Sequence, residues 1–501
     1  MPLRLNNTLT ERKEEFTPLT PGEVRMYVCG ITAYDLCHLG HARSLLVFEV
    51  LRRYLNFRGY RVRMVRNFTD IDDKIIRKAQ ETGRTWDAVA DHYIREFQAD
   101  MAKLELPPAD EEPRATAHVP AMLGLIERLV ARGLAYAVEG DVFFRVRAYP
   151  EYGRLSHRNL DDLRAGARVE VDERKADPLD FALWKRARPG EPFWESPWGP
   201  GRPGWHIECS AMSMHYLGES FDLHGGGEDL IFPHHENEIA QSEGATGKPF
   251  ARFWVHNGFV RIQHEKMSKS VGNVFTIREL LGKFSPDALK LFLLGTHYRS
   301  PIDYTPEKVE ETGRALDRIR LLVESVEALE ERPSGGVLPG ESGAAIATAR
   351  EEFVAAMDDD LNTARALSAI FTLVRHLNAA LDTLPDRRLA STAAAAALRD
   401  GVAAVRQMGG VLGLVLAPGA PVSAEAAAVA AVAALLREYC PGHAPPSGGL
   451  ALGVEALLAR REEARRARDF ATADAIRRRL GEAGIEVADR SQGSTWRLRT
   501  T

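Results

Sequence analysis

The chain has 501 residues, 45% hydrophobic and 27% charged, a globular balance that excludes an intrinsically disordered protein. At roughly 100–200 residues per domain, this length holds about three to five domains rather than one module. Lys and Arg number 65 and Asp and Glu 70, a net charge of −5. No global basic field holds nucleic acid, and any such partner must meet local basic surface.

The opening stretch MPLRLNNTLTERKEEF has no apolar run and predicts no leader or anchor. RMYVC (25–29) has the β-branched and aromatic content of a buried strand and stops at Gly30. After a loop, Leu45, Leu46, Phe48, Leu51, Tyr54 and Leu55 recur at helical spacing, with a glycine stop at Gly59. RVRMVRNF (61–68) reads as the next strand, and Asp70, Asp72 and Asp73 suit the start of a following helix. This alternation predicts an α/β domain with a parallel sheet. Between about 119 and 204 come a helix (MLGLIERLVARGLAY), a strand-like DVFFRVRAY and a Pro/Gly/Trp-rich stretch from Pro189 to Trp205, which together read as an insertion and linker. Alternation resumes with FDLHGGGEDLIF, a helix opening at Pro233 and a strand-like FWVHNGFVRI before a lysine-bearing loop. Beyond about 285 helical periodicity dominates, with alanine-rich segments near 391–407 and 424–436 that suit a bundle. The longest purely apolar run, Ala426 to Leu436, is too short to span a bilayer. CPGHAPPSGG (440–449) separates the last piece.

Four cysteines, at 29, 37, 209 and 440, are too few and dispersed for a disulfide scaffold and predict a reducing cytoplasm. HHENE puts His234 and Glu238 one helical turn apart, which is metal-ligand spacing. Cys29 ends a predicted strand and Cys209 follows WHIE, so both can neighbour that helix at the carboxyl ends of a doubly wound sheet. Two thiolates, an imidazole and a carboxylate suit zinc; the alternative is that these residues are packed core. His38-Leu39-Gly40-His41 lies between the first strand and its helix, where backbone N–H groups and the positive helix end favour phosphate. Lys266-Met267-Ser268-Lys269-Ser270 offers two cations for phosphate charge. No GxxxxGK[ST] loop occurs, and no GxGxxG directly follows a predicted strand, the match GPGRPG (199–204) lying inside the Pro/Gly/Trp-rich linker, which removes support from the common kinase and dehydrogenase sites. Cys37 and Cys440 have no assigned role.

An HLGH after the first strand, an unbroken KMSKS more than two hundred residues later and the metal cluster together resemble the cysteinyl-tRNA synthetases, within the class I aminoacyl-tRNA synthetases. Matching stretches include MYVCGITAYDLCHLGHAR, FTDIDDKIIRKA, EPRATAH, DPLDFALWK, GRPGWHIECSAM, DLHGGGEDLIFPHHENEIAQSEG, EKMSKSVGN, HYRSPIDY, AMDDDLNT and RRARDFATADAIRRRLGEAGIEVADRSQGSTWR. They run over nearly the whole chain.

The resemblance implies a Rossmann-like parallel-sheet core with an insertion, a helical bundle and a small C-terminal module. It divides the chain into a first catalytic half (1–118), a connective insertion (119–204), a second catalytic half with the metal site (205–250), a KMSKS-bearing stem-contact region (251–312), a bundle (313–440) and an anticodon-recognition domain (441–501). It implies that ATP, with Mg2+, and cysteine form cysteinyl-adenylate, and that the cysteinyl group passes to tRNA(Cys). His38, His41, Lys266 and Lys269 would be catalytic and, with Gly40, hold ATP. Cys29, Cys209, His234 and Glu238 would hold one Zn2+ that selects the substrate thiol, so no editing domain is expected. Thr69, Trp205, His224 and Asp229 would enclose the substrate cysteine. From Leu457 to Thr501 eleven Arg/Lys stand against seven Asp/Glu, a local excess of four positive charges. There the resemblance assigns Arg465, Phe470, Asp474 and Asp489 to anticodon bases, Phe470 standing where the family often has tryptophan. A soluble cytoplasmic monomer with no membrane contact is expected. Two rival readings are a tRNA-independent ligase joining cysteine to an amino sugar in mycothiol synthesis, and a non-catalytic zinc-dependent RNA-binding paralogue.

Overall fold

Glu23–Thr32 (β1), Arg61–Thr69 (β2), Phe221–Gly227 (β3) and Ala251–Asn257 (β4) form one sheet in the order β4-β3-β1-β2. Every neighbouring pair is parallel, with Met26 opposite Met64 and Leu223, and Trp254 opposite His224. Val24, Met26, Val65 and Leu223 are buried, as a sheet covered on both faces requires. The sequence reading of a parallel α/β core is what the structure has. This computed structural model describes residues 2–160, 173–262, 265–266, 274–336, 342–384, 389–416, 428, 431–432, 435–436, 438–440, 450–490 and 493–498.

The described chain forms two compact units. Met1–Val309, Ala344–Thr372 and Ala404–Val415 make the first; Glu310–Gly343, Leu373–Ala403 and Leu416–Thr501 make the second. In the first unit, β1 leads through HLGH into helix α1, Leu39–Phe57. The helix begins earlier than its apolar periodicity predicts because His38 caps it, and it stops before Gly59, whose φ is +88°. Asp72 caps the helix Asp73–Thr82 by accepting from the Lys74 N–H.

The expected insertion folds as an antiparallel sheet of Ala135–Val138, Asp141–Phe144, Phe181–Arg186 and Gly201–Pro203. The helix expected over MLGLIERLVARGLAY ends at Ala131, and its last residues enter the first of these strands after Gly133, at φ +74°. The helix expected to open at Pro233 starts at Glu236 and is called α2 here, Glu236–Thr246. Ile231–His235 forms a wider turn before it, in which Phe232 is extended (φ −137°, ψ 131°), since a residue before proline is biased away from the helical region. The single strand expected over FWVHNGFVRI is two, broken at Gly258: β4 and Val260–Ile262. Val260–Ile262 pairs with Glu265–Lys266 and Ile302–Asp303.

In the second unit, Leu316, Ile319, Leu322, Val323 and Val326 bury one face of the helix Pro306–Glu327. The short strands Glu330–Gly336 and Leu389–Ala390 pair there, an addition to the all-helical expectation. Of the alanine-rich region, Thr392–Val411 is helical, and most of 417–434 lies outside the described residues. The chain's last module packs helices Leu450–Arg466 and Phe470–Glu482 with a hairpin of Ile485–Arg490 and Gly493–Leu498, around Val454, Leu457, Ile476, Leu480 and Ile485. Among the described residues no helix is long and apolar enough to cross a membrane.

Candidate metal centre and nucleotide site

Near the carboxyl end of β1 the chain passes unusually close to β2. A Cβ on Gly30 would lie 1.6 Å from the Asn67 carbonyl oxygen, so only glycine fits, and the Gly30 N–H donates to Asn67 Oδ1 at 2.9 Å. This pins Cys29 at the sheet edge. Cys209 comes from the helix Trp205–Leu217, and His234 and Glu238 from the turn before α2 and its first turn. The Cys29 and Cys209 sulfurs are 3.7 Å apart, Cys29 Sγ is 3.4 Å from Glu238 Oε1, and His234 Nε2 is 3.0 Å from the same oxygen. One donor atom from each of the four residues lies within 4.8 Å of all the others. Bonds of about 2.0–2.3 Å in a tetrahedral zinc site place neighbouring ligand atoms about 3.3–3.8 Å apart; the donor set fits, two of these distances lie in that range, and the His234–Glu238 pair at 3.0 Å is a hydrogen bond that would open slightly around a metal.

The electrostatics also leave a place for a cation. Burial pushes the Cys29 thiol up, and Cys209 and Glu238 add to it. At Cys209 burial is outweighed by the Cys29 hydrogen bond and His234, which draw the thiol down. Burial would raise Glu238, but His224 and His234 hold its carboxyl well below the carboxylate range. His234, despite burial, is raised by Glu238 and Cys209. The cluster therefore holds protons that a divalent cation would displace.

Behind the donors stands a layer of which the sequence reading singled out His224 alone. His235 Nε2 is 3.3 Å from Cys29 Sγ, its Nδ1 pairs with His256 Nε2 at 2.7 Å, and His256 Nδ1 pairs with Thr8 Oγ1 at 2.7 Å. His224 pairs with Glu238 Oε2 at 2.9 Å and stacks on Trp254 with ring centroids 4.4 Å apart. With His235 it also makes an overlapping donor set, Cys29–His224–His235–Glu238. Burial and the neighbouring imidazoles lower His235, so it stands as a neutral ring.

The insertion braces the metal-side helix. Glu236 accepts from the Ser156 N–H at 2.8 Å, Tyr152 donates to Asn237, and Tyr149 and Arg154 both hold Glu243, at 2.8 and 2.9 Å. Four polar contacts thus fall on α2 around Glu238.

At the start of α1, His38 Nδ1 accepts from the Gly40 N–H and His41 Nδ1 from the His38 N–H, each at 3.1 Å, and the rings lie 3.8 Å apart. This reciprocal cap seats both imidazoles at a positive helix end. The segment returning from the lysine loop lies against it: Leu39 N–H donates to the Phe275 carbonyl and Ile277 N–H to that of Cys37, at 3.1 and 3.0 Å. The backbone of Lys266 lies in the strand Glu265–Lys266; Lys269 is outside the described residues. Buried Cys37 is thereby placed as part of this backbone junction.

Of the residues expected around the amino acid, Thr69 is buried and donates to Glu208 Oε2 at 2.7 Å. Burial pushes the Glu208 carboxyl well up, opposed by that bond. Glu208 was not singled out from the sequence, although WHIECS contains it. Trp205, 37% exposed, stacks on His234 with centroids 4.2 Å apart. Asp229 is exposed in the turn after β3. His224 is placed against the metal-side carboxylate. In the C-terminal module Arg465 and Asp474 are exposed, and Phe470 is 59% exposed at the start of its helix. The Asp489 backbone lies in the hairpin, and its side chain is outside the described residues.

Three family models match the chain. They are described as the tRNA synthetases class I (C) catalytic domain over residues 15–314, the DALR domain over 352–417 and the cysteinyl-tRNA ligase anticodon binding domain over 447–497. The chain is 49% identical to a cysteine–tRNA ligase of Syntrophotalea carbinolica, with 100% of both chains covered, and 52% identical to one of Alkalilimnicola ehrlichii, with 99% of each covered. Among solved structures, Mycobacterium tuberculosis methionyl-tRNA synthetase is similar in fold, with a TM-score of 0.57 at 18% identity over 86% of this chain and 96% of that one.

Proposed function

The chain belongs to the cysteine–tRNA ligases, a family of class I aminoacyl-tRNA synthetases, and from that premise we propose that its buried thiol–imidazole–carboxylate cluster is a zinc centre that selects the substrate. The enzyme activates L-cysteine with ATP to cysteinyl-adenylate, releasing pyrophosphate, and transfers the cysteinyl group to tRNA(Cys). The observation that carries the zinc reading is the meeting of Cys29, Cys209, His234 and Glu238 within 4.8 Å. Zinc held there would take the substrate sulfur as a thiolate and discriminate against the hard hydroxyl of serine.

Each remaining role belongs to the chain's own groups. His38 and His41, on the capped end of α1, hold phosphate oxygens while the α-phosphorus becomes five-coordinate. Lys266 and Lys269 stabilise the charge that moves onto pyrophosphate, which ATP brings in with Mg2+. Thr69, held by Glu208, Trp205, stacked on His234, and Asp229 enclose the cysteine and anchor its ammonium and carboxylate. His224 fixes Glu238 as well as lining that pocket. No covalent enzyme intermediate is needed; positioning and electrostatics supply the acceleration. The exposed Arg465, Phe470 and Asp474, with Asp489, read splayed anticodon bases by hydrogen bonding and stacking. The family resemblance favours a monomer, and four dispersed cysteines suit a reducing cytoplasm.

The chain's match to an anticodon-binding model over 447–497 favours tRNA over the amino sugar of the rival ligase reading. Zinc-replete protein should catalyse cysteine-dependent ATP–pyrophosphate exchange and charge tRNA(Cys) while leaving an amino-sugar acceptor untouched. Exchange with transfer only to the amino sugar would reverse that assignment.

A further inference from the structure

Two residues past HLGH, Arg43 is wholly buried in α1. Its guanidinium meets four backbone carbonyls that are distant in sequence. Nη1 donates to Phe259 at 2.8 Å, and Nη2 reaches His297 at 3.2 Å, Tyr298 at 3.3 Å and, more closely, Ser300. Burying a charge is expensive unless it is fully hydrogen-bonded. Arg43 uses the backbone carbonyls of these residues and none of their side chains. What they share is position.

Phe259 precedes the strand Val260–Ile262, which pairs directly with Glu265–Lys266. His297–Ser300 precedes Ile302–Asp303, the other neighbour of Val260–Ile262. The Phe259 carbonyl also accepts from the Ile302 N–H at 2.9 Å, and the Phe259 N–H donates to Glu228 at 3.1 Å. The two segments approach so closely that a Cβ on Gly258 would lie 2.6 Å from the Arg299 carbonyl oxygen. From its far side the loop is held by buried Asp360, which accepts from Tyr298 Oη at 2.7 Å and Arg299 Nε at 2.8 Å.

We infer that Arg43 is a positioning residue for adenylate formation: it fixes the helix that presents His38 and His41 against the small sheet that carries Lys266, and so sets the spacing of the two signature elements across ATP. The inference rests on the ligase reading above. A lysine at 43 keeps the charge, but its single nitrogen cannot span the Phe259 and Ser300 carbonyls as the planar fork does.

The test is Arg43→Lys beside wild type, in ATP–pyrophosphate exchange with each substrate varied and with zinc content measured on the same preparations. Expected is a fall in exchange kcat of about 10–100-fold with a raised ATP KM, as for a catalytic group displaced by about 1 Å. The cysteine KM and zinc stoichiometry should stay at wild-type values. Wild-type exchange kinetics in Arg43→Lys would overturn the inference, and so would loss of zinc and cysteine affinity in step with ATP affinity, the pattern of a merely structural arginine. Absence of exchange in zinc-replete wild type would instead defeat the ligase reading. Tyr298→Phe removes one of the two bonds that tie the same loop to Asp360 while sparing the carbonyls that Arg43 uses, and decides the matter should Arg43→Lys not fold. It should raise the ATP KM by about fivefold with the cysteine KM unchanged, and an unchanged ATP KM there overturns the inference.

Discussion

Replacing Cys209 by serine tests the metal reading at its most sensitive atom. The side chain is buried, and its sulfur lies 3.7 Å from that of Cys29, so a hydroxyl occupies nearly the same space but offers a hard, poor donor. If the roughly 10–16 kcal/mol of zinc binding in a four-donor protein site divides about equally, each donor supplies about 2.5–4 kcal/mol. Losing one then weakens zinc by roughly 100–1000-fold. Competition against a chromophoric chelator should report that weakening directly. In ATP–pyrophosphate exchange the cysteine KM should rise far more than the ATP KM, because the capped histidines of α1 and the strand bearing Lys266 share no donor with the cluster. Equal rises for both substrates would mean general misfolding, and unchanged zinc affinity would remove Cys209 from the metal site.

His256→Ala cuts the chain from Thr8 to His235 behind Cys29; chelator competition should show zinc weakened about 10–100-fold, with the ATP KM unchanged. Arg465→Ala should raise the tRNA(Cys) KM in aminoacylation while leaving pyrophosphate exchange intact, since exchange needs no tRNA. At Asp73 burial would raise the carboxyl, but Lys185 and Arg202 outweigh it and hold it below its ordinary value. Its pairs therefore stabilise the fold above about pH 4 and lose that contribution as pH falls through the depressed folded value. Asp73→Asn should cost at most about 1 kcal/mol in denaturant unfolding at pH 7, because Asp73 is half exposed, and nothing once pH is well below that value.

That Cys29, Cys209, His234 and Glu238 meet in one cluster was legible because two of them sit one helical turn apart and the others end or follow predicted elements. The α/β core was legible for a similar reason: hydrophobic alternation is local. Arg43, Glu208 and His256 were not, because nothing near them in sequence reveals their partners. Arg43 finds its acceptors more than 200 positions away, and His256 gains its role from the register that sets β4 beside β3. The turn Ile231–His235 shows a different failure. Proline marked a boundary correctly, but the backbone before it took an extended residue, so the helix began three positions later than expected. The hairpin of the last module, Ile485–Arg490 with Gly493–Leu498, was missed because its alternation is short and polar.

On the zinc reading proposed above, the insertion's contacts bear on how the enzyme would keep serine out. Cysteine and serine are near-isosteres, and a cavity separates such a pair weakly, so selection must come from the donor set and from how rigidly it is held. Glu236, Asn237 and Glu243 flank Glu238 along α2, and each is bound by Ser156, Tyr152, or Tyr149 and Arg154 of the insertion. These bonds leave the Glu238 carboxylate to the cluster while fixing the backbone on either side of it. A metal site whose donors cannot drift toward a harder, smaller ligand discriminates more sharply than one that adapts. Within the insertion, Tyr149, Tyr152, Arg154 and Ser156 are engaged in holding α2. On the zinc reading, selection at the first encounter would rest on the same contacts that hold α2 in the fold.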